Sequence, residues 1–344
     1  MTFSETSVFN MVQDKELSPP KPKSGQANLL WAIKLVVTVL ILSYIYRTFR
    51  NEQKGIADIW SVFGEIWSAE NMPVFVIMVL LVPVNWAFES LKWQTLTRKI
   101  IPIGFNEAFR GTLTGLAVGV AVPAQLGDTL GRVAALKSDR RLEAIGAALV
   151  SNGIQFYISV LAGAAGWLFL RDQLNIPERV KTAVSLTLIA VLALGPIVFA
   201  FRKPLLGWPA RRKVFQKIQE YIGVIASYTA RDVSTATLYG AVRYLVFLSQ
   251  FLLALSLFHF PVPVAGLAAC VTLVFLSKTL IPAVNVLGDL GLREFTALVV
   301  FASYQLPAEQ IIAATFLIWI LNVLGPILVG IFLIWKYKWK KNKA

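Results

Sequence analysis

Pro123-Ala-Gln-Leu-Gly-Asp-Thr-Leu-Gly-Arg132 decides how the chain is read, because its centre returns inside Pro282-Ala-Val-Asn-Val-Leu-Gly-Asp-Leu-Gly-Leu-Arg293. Both copies contain Leu-Gly-Asp-x-x-x-Arg, follow a proline and a Gly- or Ala-bearing apolar run, and lead into an Ala-Leu pair, Ala135-Leu136 and Ala297-Leu298. The apolar run ahead of the first copy, 113–126, is too short to cross a bilayer and is stopped by Pro123. Two half-helices meeting at a Pro-Gly break fit it better than one crossing. Non-helical backbone at membrane depth survives only where protein or a water-filled cavity satisfies its N–H and C=O groups, so each break is expected to face a cavity.

Outward from these stretches the chain is apolar: 56% of its 344 residues are hydrophobic. A helix of roughly 20 residues crosses a hydrocarbon core. Runs near that length or longer lie at 29–46, 73–91, 142–170, 182–201, 235–258 and 311–335. Residues 55–68 are amphipathic at helical spacing and are expected to lie in the interface. The expected fold is therefore all-α, a polytopic transmembrane helix bundle of about six full spans plus two re-entrant or broken-helix regions.

A polar tail, 1–27, precedes one transmembrane domain, 28–335, and a basic tail, 336–344, follows it. The half-repeats are read as about 73–201 and 235–335. The first apolar run starts too late and is too long for a cleavable signal core.

The formal charge is +14. The positive charges gather in the loop 202–217 and in the C-terminal tail, which the positive-inside rule places in the cytoplasm, with the N-terminus on the same side. Charge scattered between hydrophobic spans argues for anionic membrane lipid as partner and against nucleic acid. Counting spans from the basic loop makes the first broken region enter from the cytoplasm and the second from outside. Two units of opposite direction with discontinuous helices form an inverted repeat, which in secondary transporters places a binding site between the halves. One cysteine, Cys270, excludes an intramolecular disulfide, and with a single histidine and no His-Glu-x-x-His spacing no metal, cofactor or catalytic motif is expected.

If the substrate is a lipid with an anionic head, Arg132 and Arg293 are its natural phosphate ligands, since guanidinium binds phosphate oxygens in a bidentate way. Half-helix N-termini near Gly127 and Gly288 add unpaired N–H donors. Asp128, Asp289 and Glu294 are read as acids that hold the arginines in an empty site; the plainer readings are helix caps and ordinary i, i+4 pairs. Arg243 and Lys278 are secondary phosphate candidates, the plainer role of Arg243 being a buried ion pair. Asn152, Gln155 and Gln250 are candidate cavity-lining residues, with helix-to-helix hydrogen bonding the plainer role.

Gly288-Asp-Leu-Gly-Leu-Arg-Glu294 resembles the glycine-rich Gly-x-Arg-Glu segment of the transmembrane region of lysylphosphatidylglycerol synthases and related flippase-like membrane proteins, and 123–136 is similar to that family's Pro, Gly, acidic, Arg and Leu pattern. The likeness extends from about Trp31 to the C-terminus. In the first copy three residues separate Asp128 from Arg132, a wider spacing than the family's, so the implied role transfers more directly to Arg293. The resemblance implies lipid translocation and argues against lipid aminoacylation and against an enzyme, since no aminoacyl-transferase domain is expected after the last span. Two other readings stay open: an accessory membrane protein that scaffolds a lipid or cell-envelope enzyme, and an enzyme acting on lipid headgroups; besides lipid, the expected partners are such an enzyme or a second copy of the chain in a homo-oligomer.

Overall fold

The computed structural model describes residues 64, 66–121, 126–207, 213–280, 292–330 and 332–333. The first expected span, most of the amphipathic segment 55–68, Pro123, Pro282, Gly288, Asp289 and both tails lie outside the described residues. What is described is helical, with no strand among the described residues. In chain order the helices are α1 (Met72–Thr97), α2 (Phe105–Ala121), α3 (Leu126–Ala134), α4 (Ala144–Leu170), α5 (Glu178–Gly207), α6 (Lys213–Ile222), α7 (Ala230–Ser256), α8 (Val264–Leu280), α9 (Leu292–Phe301) and α10 (Ala308–Trp319). The last continues through a π-helical turn, Ile320–Leu324, to Gly330. Five of these segments are long and apolar enough to cross a membrane: α1, α4, α5, α7 and α10 with its extension. The chain is a polytopic helical bundle of the expected class.

Each expected broken region is a long helix followed by a short one. The 17-residue α2 precedes the nine-residue α3, and the 17-residue α8 precedes the ten-residue α9. In both cases the short helix folds back on the long one. The first hairpin closes on glycine: a Cβ at Gly115 would stand 2.7 Å from Arg132 Cγ and Asp128 Oδ1, and one at Gly131 2.8 Å from Gly115 Cα. Only glycine lets these two backbones approach so closely. The second hairpin closes on hydroxyls, with Ser277 Oγ 3.0 Å from Thr296 Oγ1 and Thr296 Oγ1 donating to the Leu292 carbonyl at 2.8 Å.

The spans that precede the two hairpins, α1 and α7, pack together along much of their length. Gln250 pairs with Met78, Arg243 with Glu89, Asp232 with Lys99 and Tyr228 with Leu96. Numbering falls along one helix as it rises along the other, so the two run antiparallel. The remaining contacts cross over between halves. Gly163 and Gly166 of α4 receive Leu276 and Thr272 of α8, and Gly330 of the last span receives Leu113 and Ala117 of α2. The span that follows each hairpin thus packs on the long helix of the other hairpin.

The α5 span is peripheral. It is tied to α4 where Tyr157 Oη donates to the Leu192 carbonyl at 3.1 Å and Trp167 Nε1 donates to Ser185 Oγ at 2.9 Å, while Leu186, Ile189, Leu194 and Phe201 are exposed on its outer face. In a membrane protein such a face meets lipid.

Candidate functional site

The buried face of α1 is polar. Asn85, Glu89, Ser90, Lys92, Gln94 and Thr97 all lie inside the bundle, and the arrangement centres on Glu89. Its carboxylate meets three cations from three helices: Lys92 Nζ at 2.8 Å, Arg132 Nη2 at 2.9 Å and Arg243 Nε at 3.1 Å. Asp128 holds Arg132 from the other side, with both carboxylate oxygens 3.0 Å from Nε, and Trp93 lies beneath the guanidinium with 5.7 Å between Cζ and the ring centroid. Lys92 also donates to Gln155 Oε1 at 3.2 Å. This centre ties α1, α3, α4 and α7 together.

Charge so deep is expensive to desolvate, and it persists where partners surround it. Two acids, Glu89 and Asp128, face three bases, Lys92, Arg132 and Arg243, so the centre carries one excess positive charge. Most of its members are shut away, but the Arg243 side chain is 23% exposed.

Four of the residues singled out in the sequence, Asp128, Arg132, Gln155 and Arg243, therefore meet in one place. Arg243 has the ion-pair role, and Asp128 forms the i, i+4 pair with Arg132 in the first turn of α3. Gly127 is buried beside Asp128 in the same turn. Gln250 Nε2 donates to the Met78 carbonyl at 2.9 Å and so bonds helix to helix. Asn152 is half-buried on α4 and Lys278 half-buried in the last turn of α8.

The sequence analysis did not single out Glu89 or Lys92, and both are buried, Lys92 wholly so. The signal was present: an acid inside the apolar run 73–91, three residues before a lysine, is an i, i+3 pair on one helix face. A second polar tie was also overlooked. Asn85 Nδ2 donates at 3.2 Å to Asn322 Oδ1, in the π-helical turn of the last span.

The second half differs. Arg293 and Glu294 occupy the first turn of α9, and Arg293 is 2% exposed. Among the described residues neither terminal nitrogen of Arg293 has a hydrogen-bond partner, and no ion pair joins it to the Glu89 centre. The span α7, which takes the place of α1 in this half, has no acid beyond Asp232 in its first turn. Guanidinium nitrogens buried without partners cost several kcal/mol, on the order of the desolvation of an unpaired ion, and an anion beside them offsets that cost. The free N–H groups and dipole of an α-helix N-terminus favour the same charge. No group of three or more metal-ligating side chains lies among the described residues.

The family described as Lysylphosphatidylglycerol synthase TM region matches residues 31–330. No curated protein and no solved structure matches the chain.

Proposed function

The chain belongs to the lysylphosphatidylglycerol synthase TM-region family, and from that premise we propose that this integral membrane protein carries an anionic lipid or lipid-linked substrate from one leaflet to the other. The observation that carries the reading is Arg293, a buried guanidinium with both terminal nitrogens unpartnered among the described residues, at the start of a helix inside a membrane bundle. A phosphate monoanion supplies the missing charge and accepts from both nitrogens at once. Glu294 beside it, and Asp289 outside the described residues, are the acids proposed to hold Arg293 between substrates.

Arg132 takes a different part in this reading. With Asp128 and Glu89 on it, it pins the first hairpin to the bundle and is not a phosphate ligand. The antiparallel halves support alternating access around a fixed site. Both termini are proposed to be cytoplasmic, from the basic loop and tail.

The experiment is leaflet exchange in liposomes with purified protein, using fluorescent anionic phospholipids and a polyprenyl phosphate. Wild-type protein moves at least one of them, Arg293→Lys keeps part of the rate, and Arg293→Met loses it. Wild-type protein that moves none, or Arg293→Met at full rate, would falsify the proposal.

A further inference from the structure

Where α2 packs against α1 and α3, one glycine of the first hairpin differs from the others. Gly115 and Gly131 leave no room for a Cβ, but a Cβ at Gly111 would stand 3.5 Å from Trp93 Nε1 and 3.7 Å from the Arg132 carbonyl oxygen. Among the described residues, no other atom beyond the chain neighbours of Gly111 and the backbone of α2 comes within 4 Å of that point. Beside the indole N–H there is therefore space about the size of a methyl group.

The side chains of this junction are donors that lack acceptors. Trp93 is wholly buried, and its Nε1 has no hydrogen-bond partner among the described residues. Above the indole ring, Arg132 uses Nε on Asp128 and Nη2 on Glu89, and its buried Nη1 is likewise unpartnered. Thr112, next to Gly111, and Thr97, one turn after Trp93, are wholly buried with unpartnered hydroxyls. Buried donors are ordinarily satisfied, so four at one junction favour an acceptor among them.

Charge points the same way. Arg132 belongs to the Glu89 centre, where Lys92, Arg132 and Arg243 outnumber Glu89 and Asp128 by one positive charge. A water molecule beside Gly111 would accept from the indole and leave that charge standing. A monatomic anion answers both demands. A halide is close to a methyl group in size, whereas a phosphate or carboxylate is several atoms larger.

We propose that the protein binds one chloride ion beside Gly111, accepting from Trp93 Nε1 and drawn by the Arg132 guanidinium, as the counter-ion of the Glu89 centre. The ion neutralises the centre and holds α2 to α1 and α3. This site is separate from Arg293 and does not depend on the lipid-carrier reading.

The test uses full-length protein in a neutral maltoside detergent. Chloride, bromide or sulfate is added at millimolar concentration, with gluconate holding the ionic strength constant, and the unfolding temperature is read. Chloride and bromide are expected to raise it saturably, by about 2 °C or more, while sulfate leaves it at the gluconate value. Crystals grown in bromide are expected to show anomalous density beside Trp93 Nε1. Gly111→Ala fills the space and removes the halide increment. Trp93→Phe keeps a ring beneath Arg132 without the N–H, and Lys92→Met removes the excess charge. Each is expected to raise the halide concentration for half-maximal effect tenfold or more. Increments are compared within each variant, so a change in its stability in gluconate does not enter.

No halide increment in the wild type overturns the proposal, as does an increment that survives Gly111→Ala. Protection by sulfate equal to that by chloride rejects a monatomic site, and unchanged halide affinity in Lys92→Met rejects the counter-ion role.

Discussion

The two buried arginines, Arg132 and Arg293, stand in repeated sequence and in opposite circumstances. Arg132 has two carboxylates and an indole around it; Arg293 is as deeply buried, and its terminal nitrogens meet no partner among the described residues. The difference traces to the preceding spans, since α1 brings Glu89 to its hairpin while α7 offers the neutral Gln250 as its fully buried polar side chain. Duplicated halves therefore need not duplicate a site. One copy of the motif is paired into the Glu89 centre, and the other carries an arginine whose terminal nitrogens have no partner among the described residues.

The strongest way to break this comparison is Glu89→Gln, which leaves three buried cations facing one acid. The expected loss is about 3–5 kcal/mol of stability, read from the unfolding midpoint in mixed micelles. Lys92→Met in the same background should recover part of it, and a double-mutant cycle with no coupling would dismiss the Glu89 centre as an energetic unit. Next in size is the pair of arginine substitutions. Arg132→Met strands Asp128, leaves Glu89 with Lys92 and Arg243, and should cost about 3 kcal/mol, whereas Arg293→Met removes a guanidinium whose terminal nitrogens have no partner among the described residues and should leave stability unchanged or raise it. Equal destabilisation by both would erase the distinction between scaffold and site.

Smaller effects sharpen the contrast between the hairpins. Gly115→Ala drives a methyl group into Arg132 and Asp128 and should cost about 1–3 kcal/mol, while Ser277→Ala removes one interhelical hydroxyl contact and should cost about 0.6 kcal/mol. Asn85→Ala, which breaks the tie to Asn322, belongs with the latter at about 0.6 kcal/mol. Thermal melts of the three variants in one detergent rank them.

The spans were legible because their signal is local: each is a run of apolar residues whose length matches the bilayer, and 142–170 and 235–258 lie within a few residues of the observed limits. The doubled hairpin was legible for a similar reason, since Pro123 and the repeated Leu-Gly-Asp mark a short apolar run that cannot cross. The centre of the site was not. Glu89 and Lys92 sit near the end of a span, where charges ordinarily reach water, and what buries them comes from Arg132, Gln155 and Arg243, tens to more than a hundred residues away. Sequence favoured Arg293 over Arg132 through the family likeness alone, because the carboxylate that distinguishes their surroundings lies on another helix.

The antiparallel packing of α1 against α7 has a consequence for vectoriality. Under the proposed carrier function, two spans packed antiparallel at the centre give the lipid path no forward or reverse of their own. Any preferred direction must originate where the halves differ chemically, and the plainest such difference is a carboxylate at Glu89 on one span and an amide at Gln250 on the other.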